Sequence, residues 1–217
     1  MSRIMAEPVW IEGPRGRLEA LLEQPPGNVH KGVPVGIICH PHPLFGGTLH
    51  NKVVHTIARA FNKMGARSLR FNFRGIGASA GSFGEGSGEI EDTLAVIAWV
   101  RKRFPDTRLW LGGFSFGGTV AVNTAQSHAP DYLVTIAPSV VHFNLNGIQL
   151  PGHPWLVIQG DEDSVVPYTS VKEWVDSLKP APDMVTIKGA EHFFHGRLIE
   201  VREAITRHIE RNVHSLL

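Results

Sequence analysis

Hydrophobic and polar positions along this chain change rhythm near residue 33. Before it, two short apolar-rich runs, Val9–Ile11 and Leu18–Glu23, flank Gly13-Pro14-Arg15-Gly16, the pattern of a β-hairpin. After it, short continuous apolar runs such as VPVGIIC and PWLVIQG alternate with longer amphipathic stretches. The short runs suit strands of a parallel sheet covered on both faces, and the amphipathic stretches suit helices. This reading assigns strands to Val33–Cys39, Ala66–Phe73, Arg108–Leu111, Asp131–Ala137, Trp155–Gln159 and Met184–Ile187. It assigns helices to Leu49–Met64, ended by Gly65, to Glu89–Arg103, stopped by Pro105, and to Phe116–Ser127, Tyr168–Leu178 and Leu198–Val213. Such alternation predicts an α/β fold with right-handed crossovers, a mostly parallel twisted sheet, and helices on both faces. Ligands of such sheets bind beyond the carboxyl ends of the strands. Chemistry is therefore expected just after Cys39, Phe73, Leu111, Gln159 and Ile187.

Length and composition narrow the class. The 217 residues fit one domain spanning 1–217, long enough to bury roughly 70% of the surface its unfolded form exposes. Apolar residues at 42% and charged residues at 19% exclude a disordered or fibrous chain. Twenty-one basic against twenty acidic side chains leave a net charge of +1, which makes no electrostatic case for nucleic acid or an anionic membrane. The single cysteine, Cys39, can form neither an intrachain disulfide nor a thiolate zinc cluster. The N-terminal MSRIMAEPVWIEG lacks the apolar core of a signal peptide, and no apolar run approaches the ~20 residues of a membrane span. The expectation is a soluble cytoplasmic protein, monomer or homodimer, acting on a small molecule.

The strongest local motif is Gly113-Phe114-Ser115-Phe116-Gly117, set between a strand and an apolar helical stretch. A serine at a sharp strand-to-helix turn stands exposed above the sheet, and flanking glycines avoid collisions with neighbouring backbone. The N–H of Phe116, at the helix N-terminus, can face a developing oxyanion. A serine hydroxyl needs a base, and the base needs an orienting carboxylate. Asp161, Glu162 and Asp163 follow one strand, and His192 and His195 follow the last, so the order Ser, acid, His is satisfied. Spacing alone chooses neither between Asp161 and Asp163 nor between His192 and His195. The second oxyanion donor should come from His40-Pro41-His42-Pro43-Leu44-Phe45-Gly46-Gly47, where only His42 and Leu44 offer a plausible N–H, because proline has none. His40, His42, His50 and His55 lie close together, but no carboxylate-rich motif accompanies them. They read as structural histidines of a rigid loop, and neither a metal nor an organic cofactor is expected. Gly75-Ile76-Gly77-Ala78-Ser79-Ala80 imitates a dinucleotide fingerprint, yet no helix opens inside it.

Taken together, His40–Gly47, Arg70–Ser79 and Gly113–Gly117 resemble the small bacterial serine-hydrolase branch of the α/β-hydrolase superfamily. The likeness extends over nearly the whole chain. It implies an α/β-hydrolase fold opened by an antiparallel hairpin. It also implies that Asp163, in Gly160–Pro167, is the acid and that His192, in Gly189–Phe194, is the base. Many members carry His-Gly where this chain has His40-Pro41, which bears on the oxyanion donor. The superfamily's lid usually follows the strand after the elbow helix, and the few residues between Ala137 and Trp155 leave no space for one. An open site with few remote contacts suits small or short-chain substrates. The expected activity is a carboxylesterase working through an acyl-enzyme on Ser115. A thioesterase, an amidase or peptidase, or a perhydrolase would use the same triad. A non-catalytic binding protein on this scaffold would need no base.

Overall fold

A computed structural model describes residues 6–27, 32–141, 143, 145, 147–149 and 152–213. Residues 1–5 of the N-terminal stretch lie outside these. In chain order the elements are β1 (Ala6–Gly13), β2 (Gly16–Glu23), β3 (Val35–Cys39), α1 (Lys52–Lys63), β4 (Arg67–Phe71), α2 (Ser87–Arg103) and β5 (Leu109–Phe114). Then come α3 (Phe116–Ser127), β6 (Tyr132–Ile136), β7 (Trp155–Gly160), α4 (Tyr168–Ser177), β8 (Asp183–Ile187) and α5 (Leu198–Asn212). One eight-stranded sheet runs in the order β1-β2-β4-β3-β5-β6-β7-β8. The β1–β2 hairpin joins it antiparallel through β2 and β4, and every later pairing is parallel. This is the α/β-hydrolase arrangement.

The apolar runs form strands because both faces of the sheet are covered. Strands β3, β5, β6 and β7 are buried along their whole length. Successive side chains alternate between two cores: Ile37 and Leu111 face α2, α3 and α4, whereas Ile38 and Trp110 face α1 and α5. Each fully buried side chain of this size contributes about 1.5–3 kcal/mol. Buried ion pairs then fasten the loops. Arg74 grips Asp92 at 2.7 Å and ties the chain after β4 to α2, while Arg70 meets Glu23 at 2.9 Å across β4 and β2. Such pairs specify position more than they add net stability.

Most elements differ from the sequence reading by one to three residues at an end, β4 for instance closing at Phe71 and α2 opening at Ser87, and two of these differences have identifiable reasons. Helix α1 begins at Lys52 because the Asn51 side chain accepts the amides of Val53 and Val54, capping the helix three residues beyond Leu49. Strand β5 runs past Leu111 to Phe114, since Gly112 and Gly113 pair with β6 like any strand residue. A short 3₁₀ turn, Pro43–Phe45, is added in the loop after β3. Among the described residues no helix lies between Ile136 and Trp155, so none of them forms a helical lid there. The Gly75–Ala80 segment opens no helix. Its Ser79 hydroxyl donates to Asn72 O and accepts the Glu19 N–H, stitching the hairpin to the chain after β4. No helix among the described residues is long and apolar enough to cross a membrane.

Candidate active site

Ser115 occupies the joint between β5 and α3 with φ +54° and ψ −119°, a left-handed conformation that ordinary residues avoid. Tight packing holds it there. Its N–H donates to Ile136 O at 2.8 Å. A Cβ on Gly113 would lie 2.1 Å from Gly117 O, and one on Gly117 would lie 2.4 Å from the carbonyl oxygens of Cys39 and His40. Only glycine permits these approaches. The serine therefore sits where the carboxyl ends of β3, β5 and β6 meet. Phe116 opens α3, and its N–H has no acceptor within the helix.

His192 follows β8 in a loop secured from the neighbouring strand end. The Asp161 carboxylate accepts the Gly189 N–H, and the Glu162 N–H donates to Ala190 O at 3.1 Å. The imidazole is tilted by 36° against the Phe114 ring and stands edge-on to Phe193, with ring centroids 5.0 and 5.2 Å away. Its Nε2 is 3.1 Å from Ser115 Oγ, and its Nδ1 is 2.7 Å from Asp163 Oδ2. A carboxylate at Nδ1 holds the proton there and leaves Nε2 to accept from the serine hydroxyl.

Asp163 is buried and fully engaged. Its Oδ1 accepts the amides of Val165 and Val166, each at 2.8 Å, and its Oδ2 accepts Gln159 Nε2 at 3.0 Å besides His192. Burial alone pushes its carboxyl up. The hydrogen bond with His192, the Val166 amide, the His192 charge and the Val165 amide outweigh burial and hold it below the usual carboxylate value. The carboxylate is thus present at neutral pH to fix the histidine.

The structure separates the alternatives that spacing left open. Asp161 serves the loop before His192. His195 is exposed and pairs with Glu191 at 3.0 Å, out of this chain of contacts. Gln159, read from sequence only as the end of a strand, is a supporting residue. Its Nε2 also donates to Val166 O at 2.9 Å, while its Oε1 finds no hydrogen-bond partner among the described residues. No sequence signal marks it, because its partner lies four residues ahead around a turn.

Of the two expected amide donors, Leu44 needs correcting. The 3₁₀ turn at Pro43 folds its N–H back onto His42 Nδ1 at 3.2 Å, and its side chain is exposed away from the cleft. His42 itself lines the cleft, with its ring 4.8–5.0 Å from those of Phe45, Phe83 and Phe116. His40 is structural: its Nδ1 donates to Pro41 O at 2.6 Å and its Nε2 accepts the Phe73 N–H at 3.1 Å. Burial lowers its pKa to about 4, so it stays neutral. Among the described residues no cluster of three or more histidine, cysteine or carboxylate side chains is placed to hold a metal.

Above Ser115 lies an open cleft of about 800 Å³. Phe45, Phe83, Phe116, Phe143, Val165 and Phe193 make its wall mainly apolar, and Ser139, Asn51 and Glu85 add polar groups. The arrangement suits proton transfer between a hydroxyl and an imidazole beside an apolar ligand.

The family model described as alpha/beta hydrolase fold matches residues 38–144. An uncharacterized protein of Rickettsia prowazekii is 32% identical over 95% of this chain and 91% of its own. A lidless a/b serine hydrolase from Xanthomonas campestris superposes with a TM-score of 0.91 at 39% identity, covering 97% of this chain and 96% of that one. An alpha-beta serine hydrolase homologue from Coxiella burnetii gives 0.89 at 44% identity, covering 95% and 99%. With likeness at these levels running end to end through sheet, elbow and helices, the chain belongs to the α/β-hydrolase superfamily.

Proposed function

We propose that this hydrolase cleaves small or short-chain carboxylic esters through an acyl-enzyme on Ser115. The observation that carries the reading is the unbroken hydrogen-bonded path from Asp163 through His192 to Ser115, ending in an apolar, unlidded cleft. Ser115 Oγ attacks the ester carbonyl while His192 Nε2 takes its proton. The tetrahedral oxygen receives the N–H of Phe116, aided by the positive end of α3, and the N–H of His42. His192 then returns the proton to the departing alkoxide, and the alcohol leaves. Water enters, gives a proton to His192 and attacks the acyl carbon; Ser115 leaves with that proton and the acid is released. Asp163 keeps the imidazole in the right tautomer and balances its charge. No cofactor takes part in these steps. An open cleft gives few contacts to a distant chain, which supports short acyl groups.

A fluorophosphonate should label wild-type protein at Ser115 and leave Ser115→Ala unlabelled. That variant should lose on the order of 10⁴–10⁶-fold in kcat on p-nitrophenyl butyrate with an unchanged circular dichroism spectrum. Labelling at another residue, or none, would overturn the assignment. Across p-nitrophenyl esters of rising acyl length, kcat/KM should peak at short chains.

A further inference from the structure

The cleft wall is mainly apolar, and one of its few polar side chains is a glutamate. Among the described residues that line it there is neither lysine nor arginine, and the single carboxylate is that of Glu85. Nearby rings form a continuous surface, with Phe116 5.9 Å from Phe83 and 5.2 Å from Phe143.

Glu85 is mounted by its neighbours' backbone. The buried Glu89 carboxylate accepts the Gly84 N–H on one oxygen at 2.9 Å and the Gly86 N–H on the other at 2.8 Å. Residue 85 is thereby pinned between two fixed amides. Its φ is +55°, where glycine or asparagine would be more comfortable than glutamate. A Cβ on Gly86 would lie 3.0 Å from the Phe143 ring, so the backbone beside Glu85 rests against the aromatic wall. The Glu85 side chain is exposed and makes no hydrogen bond or ion pair with any described residue. Among the described residues the carboxylate gains no hydrogen bond or ion pair, yet the backbone at Glu85 is held in an unfavourable conformation at the edge of the cleft. Such an outlier points toward function.

We infer that Glu85 sets the charge preference of the cleft: esters bearing an ammonium-type cation are favoured over uncharged esters of the same shape, and anionic ones are disfavoured. This rests on the ester reading of Ser115. A quaternary ammonium carries a charge spread over an apolar surface. The faces of Phe83 and Phe143 attract it through their quadrupoles, and the carboxylate attracts it by charge. A carboxylate or phosphate on the substrate would meet Glu85 with no cation on the wall to offset it.

The test compares butyrylcholine with 3,3-dimethylbutyl butyrate, its uncharged isostere, by pH-stat kinetics on the wild type and Glu85→Gln. At low ionic strength the wild type should favour the cationic ester about tenfold in kcat/KM, and Glu85→Gln should cut that ratio roughly five- to tenfold. The uncharged ester should change far less than the cationic one, and an unchanged circular dichroism spectrum should show that the variant is folded. Salt at 0.5 M should shrink the wild-type ratio and leave the variant's almost unmoved. A ratio that Glu85→Gln leaves unchanged would defeat this inference alone. Absence of both turnover and Ser115 labelling would defeat the ester reading and this inference with it.

Discussion

Replacing Asp163 by asparagine keeps size and shape but presents one amide where there were two equivalent oxygens. Four donors converge on this carboxylate: the amides of Val165 and Val166 on Oδ1, and Gln159 Nε2 and His192 Nδ1 on Oδ2. If the asparagine oxygen takes the two backbone amides, its NH₂ faces Gln159 Nε2 and donates to His192 Nδ1. The imidazole proton then moves to Nε2 and points at Ser115 Oγ, so the base can no longer accept the serine proton. If the asparagine flips, its NH₂ meets two backbone N–H groups instead. The first orientation is cheaper, and it carries the wrong tautomer. We expect kcat on a p-nitrophenyl ester to fall on the order of 10³–10⁴-fold, about 4–5.5 kcal/mol of transition-state stabilisation. The opposed donors should also cost about 1–3 kcal/mol of folding stability, read from the urea midpoint. Asp161→Asn is the control. Its oxygen can still accept the Gly189 N–H, so kcat should stay within about threefold. Equal and mild effects of the two substitutions would refute the assignment of Asp163.

Three further outcomes follow from buried groups. His40 has its pKa lowered by burial from 6.5 to about 4, so below pH 6.5 the unfolded chain binds a proton that the folded chain refuses. Stability should fall as pH drops from 6.5 toward 4, by about 3 kcal/mol in full, and this slope should be missing from His40→Gln in urea titrations; parallel curves would contradict it. Burial pushes the Cys39 thiol up to about 12, partly opposed by its hydrogen bond with Thr93, so an aromatic disulfide reagent should modify it only in denaturant; rapid reaction of native protein would show the site open. Gly117→Ala forces a methyl into the carbonyl oxygens of Cys39 and His40, whereas a Cβ on Gly118 meets nothing nearer than 3.3 Å. Thermal melts should show Gly117→Ala losing at least 1–3 kcal/mol, as overpacking roughly costs, with Gly118→Ala close to wild type.

Much of the architecture is written in local patterns. The stretch Phe116–Ser127 agrees at both ends with α3, because a glycine-flanked serine opens it and the apolar run that follows is buried on nearly every side. The all-apolar strands could be read because both faces of the sheet are covered. Boundaries set by side chains reaching the backbone were harder. Leu49 is buried and continues the apolar pattern, but the Asn51 oxygen caps the helix so that it starts only at Lys52. Within the candidate site the serine announces itself through two glycines that nothing else could replace. Asp161 and Asp163 have the same chemistry two positions apart, and only the path of the loop after β7 decides which of them meets the imidazole. Gln159 and Glu85 carry no local signal. One acts through a partner around a turn, and the other is set apart by a backbone angle that residue identity does not reveal.

Ser115, Asp163 and His192 hang from the ends of three strands in one buried sheet, whereas Phe45, Phe83, Glu85 and Phe143 belong to the connections between elements. Those connections can lengthen, shorten or exchange side chains while the sheet stays as it is. In the proposed reading, chemistry and recognition therefore rest on separate parts of the molecule. A lineage built on this plan can acquire new diets by redecorating its rim, with no need to reinvent the reaction underneath.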